Sequence, residues 1–348
     1  MLNFTMELTE SPPATPLLSV VVPLFDEELN VDQLYRRLVA SLAHLGGPYE
    51  LVFVDDGSRD ATPRLLDEMQ EQDASVVVIH LSRNFGHQSA VSAGLDYARG
   101  RAVIVMDGDL QDPPEVLLQF VRRWEEGFDV VYAIREKRKE NPAKRLGYFT
   151  FYRIMNAISD LDIPLDSGDF CLMDRKVVDA LKALPERMRF VRGLRTYVGF
   201  RQTGMAYERA AREAGRPKYT LRALIGLAIN GLVSFSSYPL RLMTYVGIGT
   251  ALLAALLTVW VFVDAFAHHS APRGWASVIV TVLFLGSIQM VGMGIVGEYI
   301  RLIFIESKGR PFYIVGEYRS HDRPAAERRG QRREFGGGIG TARRNQEP

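Results

Sequence analysis

Residues 102–115 read Ala-Val-Ile-Val-Met-Asp-Gly-Asp-Leu-Gln-Asp-Pro-Pro-Glu. An apolar run, Ala102–Met106, ends in two aspartates set two residues apart. A run this short, rich in β-branched residues and closed by turn formers, fits a strand buried on both faces, as in a largely parallel sheet. Asp107 and Asp109 then project carboxylates from the strand's polar end, and Gln111 offers a third oxygen. A divalent cation such as Mg²⁺ takes a few hard oxygens from a protein and keeps its other positions for substrate phosphates. An ordinary Asp-Gly turn capping the helix after Pro113-Pro114-Glu115 accounts for the same residues.

Working outward, three more runs of this kind precede it: Leu18–Val22, Leu51–Val54 and Val76–Leu81. Between them, Asn30–Leu45, Ala61–Gln72 and Gln88–Ala98 carry apolar residues at three- and four-residue spacing, as in Leu34, Leu38 and Leu42. Strand–helix alternation predicts an α/β fold with crossover connections. Such folds bind ligands beyond the carboxyl ends of their strands, where this chain's polar residues gather. The first run leads into Pro23-Leu24-Phe25-Asp26-Glu27 and the second into Asp55-Asp56-Gly57-Ser58. A carboxylate at such a point accepts hydrogen bonds from a base or ribose; alternatively these acids cap a helix starting at Ser58–Thr62. Acids at three strand ends of one sheet weaken the capping explanation for all of them.

Basic residues balance the acids. Arg83 follows the third run, Arg135 to Arg145 contain a cluster after Asp129–Ala133, and Arg209, Arg212 and Lys218 precede an apolar region. Guanidinium forks match phosphate geometry, and lysine supplies a point charge. Lys137–Lys139 read as a solvated surface, whereas Arg135, at the end of an expected strand, is the better phosphate ligand.

Composition splits the 348 residues. The expected organisation is a flexible N-terminus (1–16), a catalytic domain (17–220), an interfacial amphipathic segment (221–241), a helical hairpin (242–306) and a basic, mostly disordered tail (307–348). The N-terminal stretch lacks an apolar run behind a basic start, so no signal peptide is expected. The hairpin's spans, near 242–267 and 276–300, are long enough to cross a hydrocarbon core of about 30 Å. Two buried helices of a soluble protein are the alternative, and a third span at 221–240 is another. Arg222 and Arg241 precede the hairpin, Arg301, Lys308 and Arg310 follow it, and only Arg273 lies in the connecting loop. This bias places both termini and the catalytic domain on the cytoplasmic side of a multi-pass protein. Gly292-Met293-Gly294-Ile295-Val296-Gly297 fits a dinucleotide fingerprint, but it lies inside a membrane-length run and follows no soluble strand. Close helix packing is the better use of those glycines. The net charge of +1 argues against a nucleic-acid partner, and a lone cysteine, Cys171, rules out an internal disulfide framework.

From Leu18 to Tyr318 the chain resembles the polyprenyl-phosphate glycosyltransferases of glycosyltransferase family 2. Within them it is similar to the bactoprenol (undecaprenyl-phosphate) glucosyltransferase branch, which is related to dolichyl-phosphate mannose synthase. The resemblance rests on VVPLFDEE (21–28), VDDGSRD (54–60), LSRNFGHQSAVSAGL (81–95), VMDGDLQDPPE (105–115), DSGDFCLMDR (166–175), RFVRGLRTYVGFRQ (189–202) and RAAREAGRPKYT (209–220). It implies a GT-A fold, inverting chemistry and a Mg²⁺ or Mn²⁺ ion on the donor diphosphate, held by Asp107, Asp109 and Gln111. It further implies a nucleotide pocket at Pro23, Phe25, Glu27 and Asp55-Asp56, with the first of these two acids, Asp55, on the nucleotide base, donor phosphates neutralised by Arg212 and Lys218, and an acceptor phosphate met by Arg135 and Arg145. The family's serine after the second acceptor arginine has no clear counterpart, since Phe149 occupies the aligned place.

The implied reaction moves a sugar, with UDP-glucose the expected donor, onto undecaprenyl phosphate at a bacterial cytoplasmic membrane. The acceptor is already ionised near neutral pH, so a strong general base is unnecessary, and charge stabilisation carries the chemistry. Asp169 is the candidate to orient the sugar or assist the acceptor; a structural turn explains it equally. Mannose on a dolichyl carrier and a modified aminoarabinose remain open as alternatives, as does a non-catalytic nucleotide-sugar receptor. Relatives assemble as oligomers, often tetramers, and the glycines of the second span allow such packing.

Overall fold

Apolar side chains decide which segments become strands and how deep they lie. A computed structural model describes residues 15–136, 167–186, 189–208, 238–268 and 274–321. The four runs read above become β1 (Leu18–Leu24), β2 (Tyr49–Asp55), β3 (Val76–Leu81) and β4 (Ala102–Val105). Val20, Val22, Leu51, Phe53, Val78 and Ile104 are all fully buried. These strands pair in parallel in the order β4-β1-β2-β3, with Leu24 opposite Asp55 and Val21 opposite Val105.

Each crossover is a helix: α1 (Val31–Leu42), α2 (Thr62–Gln72) and α3 (His87–Tyr97). The apolar positions of α1, Val31, Leu34, Leu38 and Leu42, are its buried ones. Each such side chain removed from water contributes roughly 1.5–3 kcal/mol before entropy is subtracted. Pro63 sits in the first turn of α2, where a missing N–H costs nothing.

Beyond β4 the sheet becomes mixed. A 3-10 turn (Pro114–Val116) and α4 (Leu117–Glu125) lead to β5 (Val130–Glu136). Then come β6 (Ser167–Asp174), α5 (Arg175–Ala183), α6 (Val191–Tyr197) and β7 (Gln202–Glu208). β6 inserts between β4 and β5 and runs antiparallel to both, while β7 lies parallel to β5. The result is the expected mostly parallel α/β sheet of the GT-A kind.

The tail expected to be mostly disordered contains a strand near its start. Residues Val315–Arg319 form β8, antiparallel to β3, and close that edge of the sheet. Tyr318 stacks on Tyr97 of α3 with ring centroids 5.1 Å apart, and Tyr313 donates a hydrogen bond to Asp96 at 2.6 Å. An edge strand exposes unpaired backbone groups, and this segment supplies their partners.

The chain divides into two units, and the second comprises 139–165 and 217–310. Its described part is two helices, α7 (Tyr238–His268) and α8 (Trp275–Ser307). Residues 238–241 of the segment expected to be interfacial open α7, and 221–237 lie outside the described residues. At about 1.5 Å per residue each helix exceeds the roughly 30 Å of a bilayer core. Leu252, Leu256, Trp260, Val282, Met290 and Met293 are each 62–69% exposed. Apolar surface on this scale needs an apolar medium, and the stretch Phe284–Ser307 is long and apolar enough to cross a membrane. The apolar pair marks the chain as membrane-associated.

Candidate active site

Because β1, β2, β3 and β4 are parallel neighbours, their carboxyl ends open on one edge. Pro23 is buried at the end of β1, and Phe25 and Glu27 follow it, half-buried. The loops after β1 and β2 are stitched together. Asp26 N–H donates to Ser58 Oγ, Glu27 N–H to Thr62 Oγ1, and Arg59 N–H to Asp26 Oδ1, at 2.8–3.0 Å. Glu27 also accepts from Asn30 Nδ2 at 2.6 Å.

Asp55 and Asp56 are both buried, each 3% exposed. Asp55 Oδ1 accepts the Ser58 N–H at 3.0 Å, and its Oδ2 lies 3.0 Å from His80 Nδ1. Asp56 instead accepts the N–H groups of Phe85 and Gly86, at 2.7 and 2.9 Å. Burial raises the Asp56 pKa, and those two amides offset part of the rise. Neither acid caps α2; Asp60 accepts the Thr62 N–H there. The capping alternative therefore fails for this pair. Arg83 is exposed in the same loop as Phe85, with its guanidinium 3.9 Å from that ring's centroid and donating to the Asn84 carbonyl.

After β4 the backbone turns sharply. Gly108 is buried, and a Cβ there would lie 2.3 Å from Leu24 Cδ2, so the Asp107–Asp109 loop packs closely on the end of β1 and a larger residue between the acids would make the Leu24 side chain shift. Leu110 takes a positive φ of 60°, and Gln111 N–H donates to Asp109 Oδ1 at 3.2 Å. Asp107 Oδ1 lies 2.9 Å from His87 Nε2, at the first residue of α3. Burial opposes a charge on His87, but Asp107, Asp169 and Asp56 push its pKa up to about 9. A divalent cation on the same carboxylate would work against that charge.

Antiparallel β6 brings in the last acid. Val105, the last residue of β4, pairs with Cys171, two residues from Asp169, and Asp107 and Asp169 both act on His87. Asp169 lies within β6, which corrects the reading of it as a turn. Its Oδ2 accepts Gln88 Nε2 at 3.1 Å, and its Oδ1 lies 3.4 Å from Arg192 Nε of α6. Gln88 Oε1 in turn accepts the Val191 N–H at 2.9 Å, tying α6 to α3. Arg195, also on α6, is buried with its guanidinium 5.1 Å from the Tyr132 ring centroid.

Arg135 falls near the end of β5, whose carboxyl end opens on the same edge as that of β4. Arg145, Arg212 and Lys218 lie outside the described residues. Sequence reasoning missed His80, His87, Gln88 and Arg192. The signal was present for three of them, since His87 and Gln88 open the helix after β3 and Arg192 lies in the first turn of α6.

Among the described residues no group of three or more His, Cys, Asp or Glu side chains converges as a self-sufficient metal centre. Two carboxylates and an amide are hard oxygen donors that suit Mg²⁺ or Mn²⁺ completed by substrate phosphates. A ligating carboxylate held from behind by an imidazole is also a usual second layer around such an ion.

A mostly parallel sheet with acids at the ends of β1, β2 and β4, and a reversed strand presenting a further acid to them, defines a GT-A-type glycosyltransferase. The chain belongs to glycosyltransferase family 2: residues 19–182 match the family described as "Glycosyl transferase family 2", and residues 238–303 match the "GtrB C-terminal hairpin". It is 45% identical to the uncharacterized glycosyltransferase YkcC of Bacillus subtilis, across 85% of this chain and 92% of that one. It is 42% identical to the bactoprenol glucosyl transferase of Shigella phage SfV, across 86% and 97%. Among solved structures, glucosyl-3-phosphoglycerate synthase from Mycobacterium tuberculosis is similar with a TM-score of 0.45 and 21% identity, over 64% of this chain and 80% of that one.

Proposed function

We propose that this enzyme transfers glucose from UDP-glucose to undecaprenyl phosphate, with inversion, at the cytoplasmic face of a bacterial membrane. The observation that carries this reading is the convergence of Asp107 and Asp169 on adjacent residues His87 and Gln88 at the start of α3, beside the buried acids Asp55 and Asp56. The relative from phage SfV, a bactoprenol glucosyl transferase by name, supports the acceptor and the sugar.

Asp55 and Asp56, with Pro23, Phe25, Glu27 and Arg83, receive the nucleoside. Arg212 and Lys218 neutralise the donor phosphates, and Arg135 and Arg145 the acceptor phosphate. Asp107, Asp109 and Gln111 would hold Mg²⁺ or Mn²⁺, which supplies charge compensation to the diphosphate. An oxygen of the lipid phosphate attacks the anomeric carbon as the bond from that carbon to the diphosphate oxygen breaks. The nucleoside diphosphate leaves with the electron pair. Asp169, with both oxygens accepting hydrogen bonds, orients a sugar hydroxyl by accepting its proton in a further one. The helical pair holds the enzyme where its lipid acceptor resides, as a multi-pass protein with both termini cytoplasmic and assembled as a tetramer.

The test uses detergent-purified protein, Mg²⁺ or Mn²⁺, undecaprenyl phosphate and a panel of labelled sugar nucleotides, scoring label in the organic phase. Transfer from UDP-glucose alone, abolished by EDTA, is expected. Asp109→Ala should lower kcat roughly 100- to 1000-fold, the scale of losing one preorganised electrostatic contact. Transfer from another sugar nucleotide would replace the donor, and EDTA-resistant transfer would remove the metal.

A further inference from the structure

We infer that His80 is a positioning residue for the nucleotide subsite, and that the strand following the membrane helices completes the charge chain holding it. The inference rests on the reading of Asp55 as the acid that meets the nucleotide base.

His80 lies on β3 between two neighbours in register, Asp55 of β2 and Glu317 of β8. Its Nδ1 is 3.0 Å from Asp55 Oδ2, and its Nε2 is 3.0 Å from Asp67 Oδ1 of α2. The same Asp67 oxygen lies 3.2 Å from Arg319 Nε of β8, which also donates to Glu317 Oε1 at 2.8 Å. A neutral imidazole has one N–H and one acceptor nitrogen. With a carboxylate on each nitrogen, both must donate, so the ring is an imidazolium. Charge then alternates from the edge strand inward: Arg319 positive, Asp67 negative, His80 positive, Asp55 negative.

This arrangement solves a problem set by burial. The Asp55 side chain is only 4% exposed, and an uncompensated carboxylate there would be costly. His80 supplies the opposite charge, and Ser58 N–H fixes the other oxygen. The carboxylate is thereby held in one orientation. Each oxygen keeps a second lone pair for a donor on the base. Burial alone would lower the His80 pKa, but its bonds to Asp55 and Asp67 and their charges raise it. The groups facing the ring are Asp55, Asp67, Glu317 and Arg319, so carboxylates outnumber cations around it.

The experiment measures UDP binding to the full-length, detergent-purified protein by calorimetry with Mg²⁺ present, together with steady-state transfer. His80→Gln should weaken UDP tenfold or more and raise the donor KM to match, with kcat within threefold of wild type. Arg319→Gln, at the surface end of the chain, should weaken UDP about threefold. The double variant should bind no worse than His80→Gln, because the arginine acts through the histidine. Wild-type affinity should fall as pH rises above the ordinary imidazole range and the imidazolium is lost, and it should fall more steeply than that of His80→Gln. A folded His80→Gln protein with wild-type UDP affinity would overturn the inference. Additive losses in the double variant would remove β8 from the chain. Wild-type protein binding none of UDP, GDP, CDP or ADP would instead overturn the transferase reading of Asp55, and this inference with it.

Discussion

At the scale of single residues, the site is built by pairs of adjacent side chains reaching in different directions. His87 and Gln88 are neighbours in sequence at the start of α3, yet one meets Asp107 of the β4 loop and the other Asp169 of β6. Gln88 also accepts the Val191 N–H, so a single amide sets both the carboxylate and the start of α6. Replacing it with leucine keeps the volume and removes both bonds. Gln88→Leu should therefore lower kcat about tenfold while the donor KM moves less than twofold, with a stability loss on the order of 1–3 kcal/mol from the orphaned Val191 N–H. Gln88→Glu should not rescue activity, since it sets a second carboxylate against Asp169, whereas Gln88→Asn should recover part of it. A kcat unchanged in Gln88→Leu would mean that Arg192 alone orients Asp169.

At the scale of elements, the division between what sequence reveals and what it hides follows contact range. β1 to β4 and α1 to α3 were legible because each is a local pattern: a β-branched run, or Leu34, Leu38 and Leu42 on one face. The acids at three strand ends were legible for the same reason. β8 was not, because Val-Gly-Glu-Tyr-Arg is the polar, short strand of a sheet edge, and what holds it, β3, Tyr97 and Asp67, lies far away in sequence. The holders of the acids were hidden too. Asp169 and its partners Gln88 and Arg192 meet only because β6 enters the sheet reversed, which no run of residues announces. One close approach between loops is directly testable. Gly57 adopts φ +71°, and a Cβ there would lie 2.6 Å from the backbone of Arg83 and Asn84. Backbone cannot step aside as a flexible side chain does. Gly57→Ala should cost roughly 1–3 kcal/mol of stability from overpacking and strain, and it should push the β3 loop away from Asp56. Thermal unfolding with UDP titration would show both losses; normal stability and affinity would mean that the loops are loosely packed.

At the scale of the whole molecule, the two units ask for different solvents. The sheet buries its apolar residues in the ordinary way, with Val20, Leu51, Val78 and Ile104 fully enclosed. α7 and α8 do the opposite, leaving Leu256, Trp260, Met290 and Met293 largely exposed. A water-facing helix of such length would carry a polar face, and Phe284–Ser307 has no such face by composition. Its few charged residues, Glu298, Arg301 and Glu306, gather toward the carboxyl end, and Glu298 pairs with Arg301 at 2.6 Å. Insertion and surface adsorption predict different behaviour on extraction. A peripheral protein held by charge is released by high salt or alkaline carbonate, whereas spanning helices require detergent. The full chain in isolated membranes should stay in the pellet after carbonate at pH 11 and enter solution with a mild detergent. Leu256→Arg and Met293→Arg should each impair insertion, since a charge at the centre of a span costs about 2.5–3.5 kcal/mol on insertion scales. Leu29→Arg, on an exposed position of the catalytic unit, should leave it unchanged. Release of the wild-type chain by carbonate would place both helices on the membrane surface, and the lipid acceptor would then have to reach a peripheral enzyme.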